Sequence, residues 1–206
     1  MSAPVGFDNT FLSLLLNPNC RLPTDDKGVV VPNAIRRAQY LVERLGKSRQ
    51  KIILPTPAAA ELLTAIGPAA QKYYDIVARS RLFEVASFDQ KCAIELALLN
   101  TTIFSQEDRK NGREPYQKIK IDRQIIAILK ASGAETIYTD DRALANRATM
   151  CGIKAVPTME LQEPEQDRQM VIEFDAADAT LEADEHDEEF QRTERHQEAS
   201  ATQRST

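Results

Sequence analysis

Histidine is almost missing from this chain: among 206 residues only His186 and His196 occur, both in an acidic C-terminal stretch. The remainder therefore holds no Ser-His-Asp triad, no Cys-His pair and no histidine-based zinc site. The seven glycines (Gly6, Gly28, Gly46, Gly67, Gly112, Gly133 and Gly152) never cluster. That excludes a Walker loop and a G-x-G-x-x-G dinucleotide fingerprint. Tryptophan is absent, and the three cysteines, Cys20, Cys92 and Cys151, never stand at C-x-x-C spacing. Such sparse, odd-numbered cysteine predicts reduced thiols in a cytoplasmic protein. No apolar run approaches the ~20 residues needed to span a membrane. The run Phe11 to Leu16 is short and follows Asp8 instead of a basic stretch, so no secretory signal is expected.

Charge is plentiful but unevenly spread. From Glu160 to Thr206 there are 15 acidic and 4 basic residues, a net of −11, which leaves 22 basic and 16 acidic residues, a net of +6, in the first 159. A basic core suits an anionic partner such as a nucleic acid. The stretch 161–206 is poor in apolar residues beyond Phe174 and free of glycine. It predicts an acidic tail, largely disordered or partly helical between Ala176 and Arg195, after a domain of residues 1–160.

With those chemistries excluded, any catalysis falls to carboxylates, hydroxyls, Lys/Arg and a metal. Asp8, Glu61, Asp122 and Asp141, with Asp140 beside the last, interrupt or border apolar runs. A carboxylate drawn out of water must be paired, protonated or metal-bound. Oxygen-only ligands favour Mg²⁺ or Mn²⁺ over zinc or copper.

The apolar pattern predicts strands alternating with helices. Val5 to Phe7 reads as a first strand, and Ile35, Ala38, Leu41, Val42 and Leu45 as a helical stripe stopped at Gly46. Lys51 to Leu54 is a second strand, followed by a helix capped by Thr56 with Pro57 at its first position. Leu82 to Ala86 is a third strand, and Ser87 with Gln90 forms a capping box for the next helix. Ser105 to Gln117 is a polar loop. Ile121, Ile125, Ile128 and Leu129 make a helical stripe ending at Gly133. Thr136 to Thr139 and Ile153 to Val156 complete the strands, around a helix from Ala143 to Cys151. The alternation predicts an α/β fold, a three-layer α/β/α sandwich on a mainly parallel sheet of about five strands. Ligands of such sheets collect outside the carboxyl ends of the strands. Asp8 follows strand one, Glu61 lies in the helix after strand two, Asp140 and Asp141 follow strand four, and Asp122 is near the start of the helix feeding strand four. The expectation is a single anionic cup, free of protein cations and filled by a divalent ion.

The order is an Asp ending the first strand, a Glu after the second, an Asp in KIKIDRQIIAILKASGA (Lys118 to Ala134), then Thr-x-Asp in TIYTDDRAL (Thr136 to Leu144). It resembles the PIN-domain ribonucleases, the group that includes the toxins of bacterial toxin–antitoxin pairs. The resemblance covers about residues 1 to 160. It implies Asp8, Glu61, Asp122 and Asp141 as catalytic, metal-binding acids, with Asp140 close enough to share that role and Asn9, Thr10 and Thr139 in support. It further implies Mg²⁺ or Mn²⁺ as cofactor, RNA as substrate, an antitoxin as protein partner and a homodimer.

Lys110, Arg113, Lys118, Lys120, Arg123 and Arg142 surround the third and fourth acids and are the candidate RNA-binding residues. A phospho-receiver domain also clusters acids on an α/β sheet. It needs an acid pair after strand one and an Asp after strand three, where this chain has Asp8 alone and Ser87. A catalytically inactive PIN-like RNA-binding or protein-interaction module is the alternative that stays open.

Overall fold

The structure, a computed structural model, describes residues 2–17, 19–104 and 115–164. The tail beyond residue 164 and most of the expected 105–117 loop, with Lys110 and Arg113, lie outside the described residues.

Three apolar residues, Val5–Phe7, form β1, and all are buried; Ile52–Pro55 forms β2, also buried at every position. Strands without an exposed face need cover on both sides, and the helices supply it. In chain order β1 leads to α1 (Asn9–Leu16), α2 (Ala34–Lys47), β2, α3 (Thr56–Ile66), a 3-10 turn (Gly67–Ala69), α4 (Ala70–Arg79) and β3 (Phe83–Ala86). Then come α5 (Gln90–Thr102), α6 (Tyr116–Ala131), β4 (Thr136–Tyr138), α7 (Arg142–Met150), β5 (Lys154–Val156) and a second 3-10 turn (Thr158–Glu160). The five strands run parallel in the order β3-β2-β1-β4-β5. This is the three-layer α/β/α architecture expected from the sequence, and its sheet is wholly parallel. No helix of the described residues is long and apolar enough to cross a membrane.

The strand order fixes where a ligand crevice opens. The chain moves outward from β1 through β2 to β3, then jumps back so that β4 lies on the other side of β1. The carboxyl ends of β1 and β4 therefore flank the topological switch point. Phe7 pairs with Tyr138, which sets Asp8 beside Thr139 at that edge. Gly6 matters by its size. A Cβ there would come within 2.5 Å of a Leu129 methyl carbon, so glycine lets α6 settle onto β1. Asp122 lies two helical turns before Leu129, and close seating of α6 carries it toward the same edge.

Several local expectations are corrected. Asp89, not Ser87, caps α5, accepting from Cys92 N at 2.9 Å. Pro55, not Thr56, stands at the cap position of α3, with no side-chain bond. Gly46 does not stop α2, which runs to Lys47, and the positive φ falls on Arg49. Ile35 is exposed, with Ala34 buried in its place. The expected loop overruns, because α6 begins at Tyr116. Gly133 and Gly152 do end α6 and α7, both at positive φ. Leu161 is buried in the core and Glu163 pairs with Arg37, so packing continues past residue 160.

Candidate active site at the carboxyl edge

Asp8 leaves β1 as the chain turns into α1. Its Oδ1 accepts from Phe11 N at 3.0 Å, capping that helix. Its Oδ2 accepts from Thr139 Oγ1 at 2.7 Å, and Thr10 Oγ1 lies 2.9 Å from both oxygens. Asp8 is 3% exposed, and no ion pair to it occurs among the described residues. Burial pushes its carboxyl up to about 7. The Phe11 amide and the Thr139 and Thr10 hydroxyls pull the other way, and the charge of Asp140 adds to the rise.

The two threonines tie the edge together. Thr139 Oγ1 accepts from Asp141 N at 3.0 Å, and Thr10 Oγ1 accepts from Asp140 N at 3.0 Å. Asp141 caps α7 by accepting from Ala143 N at 2.8 Å and Leu144 N at 3.1 Å, both on Oδ1. Its Oδ2 faces Lys118 Nζ at 2.8 Å. Burial acts to raise the Asp141 carboxyl, but the Lys118 ammonium and the Leu144 and Ala143 amides outweigh it and hold it below the usual range. Glu61, on the second turn of α3, is raised by partial burial of its carboxyl and then by the Asp141 charge, against Lys118 and Asn9. Asp8, Glu61, Asn9, Thr10, Thr139 and Asp141 thus share one neighbourhood at the switch point.

Asp122 is satisfied differently. Its Oδ2 meets Arg147 of α7 at 2.6 Å, and both side chains are buried. Asp140 turns away to the chain after β5, its carboxylate accepting from Thr158 N at 2.8 Å and Thr158 Oγ1 at 2.6 Å. The expected cation-free cup is therefore corrected. Lys118 enters it at Asp141 and Arg147 neutralises Asp122. Among the described residues no three Asp, Glu, His or Cys side chains converge as a ready metal cluster. The physical reason is repulsion: carboxylates facing one another take protein cations and hydroxyls as partners.

Of the candidate RNA-binding residues, Lys118 makes the contact just described. Lys120 Nζ sits 5.6 Å from the Tyr116 ring centroid. Arg123 lies over Phe104 at 4.4 Å and donates to Asn100 at 3.1 Å. Arg142 pairs with Asp26 at 2.7 Å. A separate open groove of about 770 Å³, lined among others by Arg37, Arg44, Tyr138 and Lys154, touches none of the acids. Its one lining carboxylate among the described residues is Glu160, and none of the candidate site acids reaches it.

Sequence reading missed three partners. Arg147 carried a signal, since it interrupts the apolar face of Leu144, Ala148 and Cys151. Lys118 carried a weaker one, standing four residues before Asp122 and so on the same helical side. Thr158 carried none.

No protein-family profile and no curated protein sequence matches the chain. Among solved structures the fold is similar to VapBC2 from Rickettsia felis bound to a DNA fragment from their promoter. That match has 16% identity and a TM-score of 0.49, and covers 74% of this chain and 97% of that one. It is also similar to Mycobacterium tuberculosis VapC20, described as a Sarcin-Ricin loop cleaving toxin, with 16% identity, a TM-score of 0.43, and 69% and 93% coverage. A third likeness is DNA-bound VapBC from Salmonella typhimurium, with 16% identity, a TM-score of 0.45, and 76% and 99% coverage.

Proposed function

We propose that this chain is a divalent-metal-dependent ribonuclease, a phosphodiester hydrolase on a PIN-like domain, and the toxin of a toxin–antitoxin pair. On this reading it acts in the cytoplasm on RNA, as a homodimer, under control of an antitoxin. The observation that carries the proposal is Asp8, a buried carboxylate at the switch point, held by hydroxyls and an amide and repelled by the charge of Asp140, with no cation paired to it among the described residues. A buried anion without counter-charge is costly. A divalent cation would remove that cost and the repulsion from neighbouring acids.

The donors suit such an ion. All are oxygens, the preference of Mg²⁺ and Mn²⁺. Lys118, drawn between Asp141 and Glu61, already marks the local demand for positive charge. Asp8, Glu61 and Asp141 would hold the ion, with Asp122 and Asp140 beside them. When bound, the ion makes water a stronger nucleophile and stabilises charge on phosphoryl oxygens.

The chain's own residues do the rest. Thr139 and Thr10 fix the orientation of the Asp8 carboxylate. The first amides of α7 lock Asp141 Oδ1, leaving Oδ2 to face the site. Arg147 holds Asp122 in place on α6. Lys110, Arg113, Lys120, Arg123 and Arg142 would meet substrate phosphates, each neutralised phosphate contributing roughly −0.7 to the log–log salt slope on a single strand.

The test is cleavage of a generic RNA with Mg²⁺ or Mn²⁺. Asp8→Asn and Asp141→Asn should abolish cleavage while circular dichroism shows a folded protein. Cleavage that survives both changes, or survives EDTA, refutes the mechanism.

A second reading is a non-cleaving PIN-like RNA-binding or protein-interaction module. The pairing of Asp122 with Arg147 and Asp141 with Lys118 favours it. It predicts RNA binding unaffected by EDTA, with no cleavage by the wild-type protein.

A further inference from the structure

Lys118 lies in an unexpected place for a substrate-binding lysine. Asp141 has two oxygens with different duties. Oδ1 is consumed by the Ala143 and Leu144 amides, and Oδ2, the oxygen that faces the site, is covered by the Lys118 ammonium at 2.8 Å. The same ammonium acts on Glu61 across the site. Lys118 thus occupies, with one charge, the ground a divalent cation would occupy with two. Its side chain is 43% exposed, against 22% for Asp141. A half-exposed pair of this kind is weak, and a lysine stem swings through four rotatable methylenes. The contact holds the ammonium in place and lets it leave.

We propose that Lys118 is a built-in rival of the divalent cation, competing with it for Asp141 Oδ2 and for the charge of Glu61. This rests on the metal-dependent reading above and adds a regulatory contact to it. The lysine sets a threshold: activity begins only at a metal concentration that displaces its ammonium. Because displacement frees a cation at the rim, metal occupancy and phosphate binding also reinforce each other, as linkage requires.

Calorimetric titration of the full chain with Mn²⁺ alone, without RNA, tests this. Lys118→Met should bind Mn²⁺ about two- to fivefold more tightly than wild type, the range given by losing one weak, partly exposed competitor. Lys118→Gln should show the same gain, guarding against a packing effect of methionine. Lys120→Met, which removes an equal charge two residues away over the Tyr116 ring, should change affinity less. Unchanged or weaker binding in both Lys118 variants, with wild type still binding, overturns this inference alone. An equal gain in Lys120→Met overturns it too, because the effect would then be general charge. Absence of Mn²⁺ binding in all the proteins overturns both the inference and the metal-dependent reading.

Discussion

Acidifying the protein from pH 8 to pH 5 in the presence of chelator should stabilise it, against the usual direction for a domain rich in carboxylates. The cause is Asp8, whose carboxyl burial pushes from 3.8 up to about 7. A raised folded-state value means the folded protein binds the extra proton. The associated stability is complete below the unfolded value and is lost as pH rises through about 7. Between pH 8 and pH 5 the linkage integral for such a group is about 2.5 kcal/mol. For a domain of this size that corresponds to a rise in Tm of roughly 5–10 °C. Glu61 is shifted in the same direction, so it adds to the slope. Asp141 is lowered, so its contribution disappears only on acidification below the ordinary carboxylate range, outside this window. The window is clean because no histidine occurs before residue 186. The assay is thermal unfolding from pH 8 to pH 5, comparing wild type with Asp8→Asn. The variant should lose most of the slope and be the more stable protein at pH 8. An identical slope in both proteins, or a wild type that weakens steadily on acidification through this range, refutes the assignment of a buried, unpaired carboxylate.

Other consequences follow from packing and charge. Arg147→Met removes the guanidinium that meets the buried Asp122 carboxylate and should destabilise the fold by about 3–5 kcal/mol in denaturant unfolding, with Asp122→Asn restoring much of the loss. Full stability in Arg147→Met alone would mean that the pair is not buried in solution. Gly6→Ala forces a methyl into Leu129 and should cost about 1–3 kcal/mol, relieved by Leu129→Ala in the same protein only if the clash is the cause. Removal of residues after 164, which keeps the buried Leu161 and the Arg37–Glu163 pair, takes a net −9 from a core of net +4. RNA binding measured by anisotropy should then tighten at low salt and converge with the full chain at high salt, while equal affinities at low salt would exclude competition by the tail.

The parallel sheet was legible because its strands are short apolar runs without polar alternation, as at Ile52 to Leu54, separated by helical stripes such as Ile125, Ile128 and Leu129. Placement of Asp8 and Asp141 at one edge followed from each standing just after a strand of a parallel sheet. The ion pairs were not legible. Lys118 and Asp141, like Arg147 and Asp122, are more than twenty residues apart, and their pairing depends on how α6 and α7 seat against each other. Helix caps failed for a related reason. Ser87 and Asp89 are both competent caps, and where β3 ends decides which one meets the first free amides. Gly6 shows the reverse case, a residue whose meaning appears only when Leu129 is seen above it.

Diffraction from crystals soaked in Mn²⁺, read at the manganese anomalous edge, addresses the central claim most directly. The account predicts a peak at the carboxyl edge bounded by Asp8, Glu61 and Asp141, with Lys118 withdrawn from Asp141 Oδ2. Crystals that take up no manganese at this edge, with Lys118 still seated on Asp141, would contradict it.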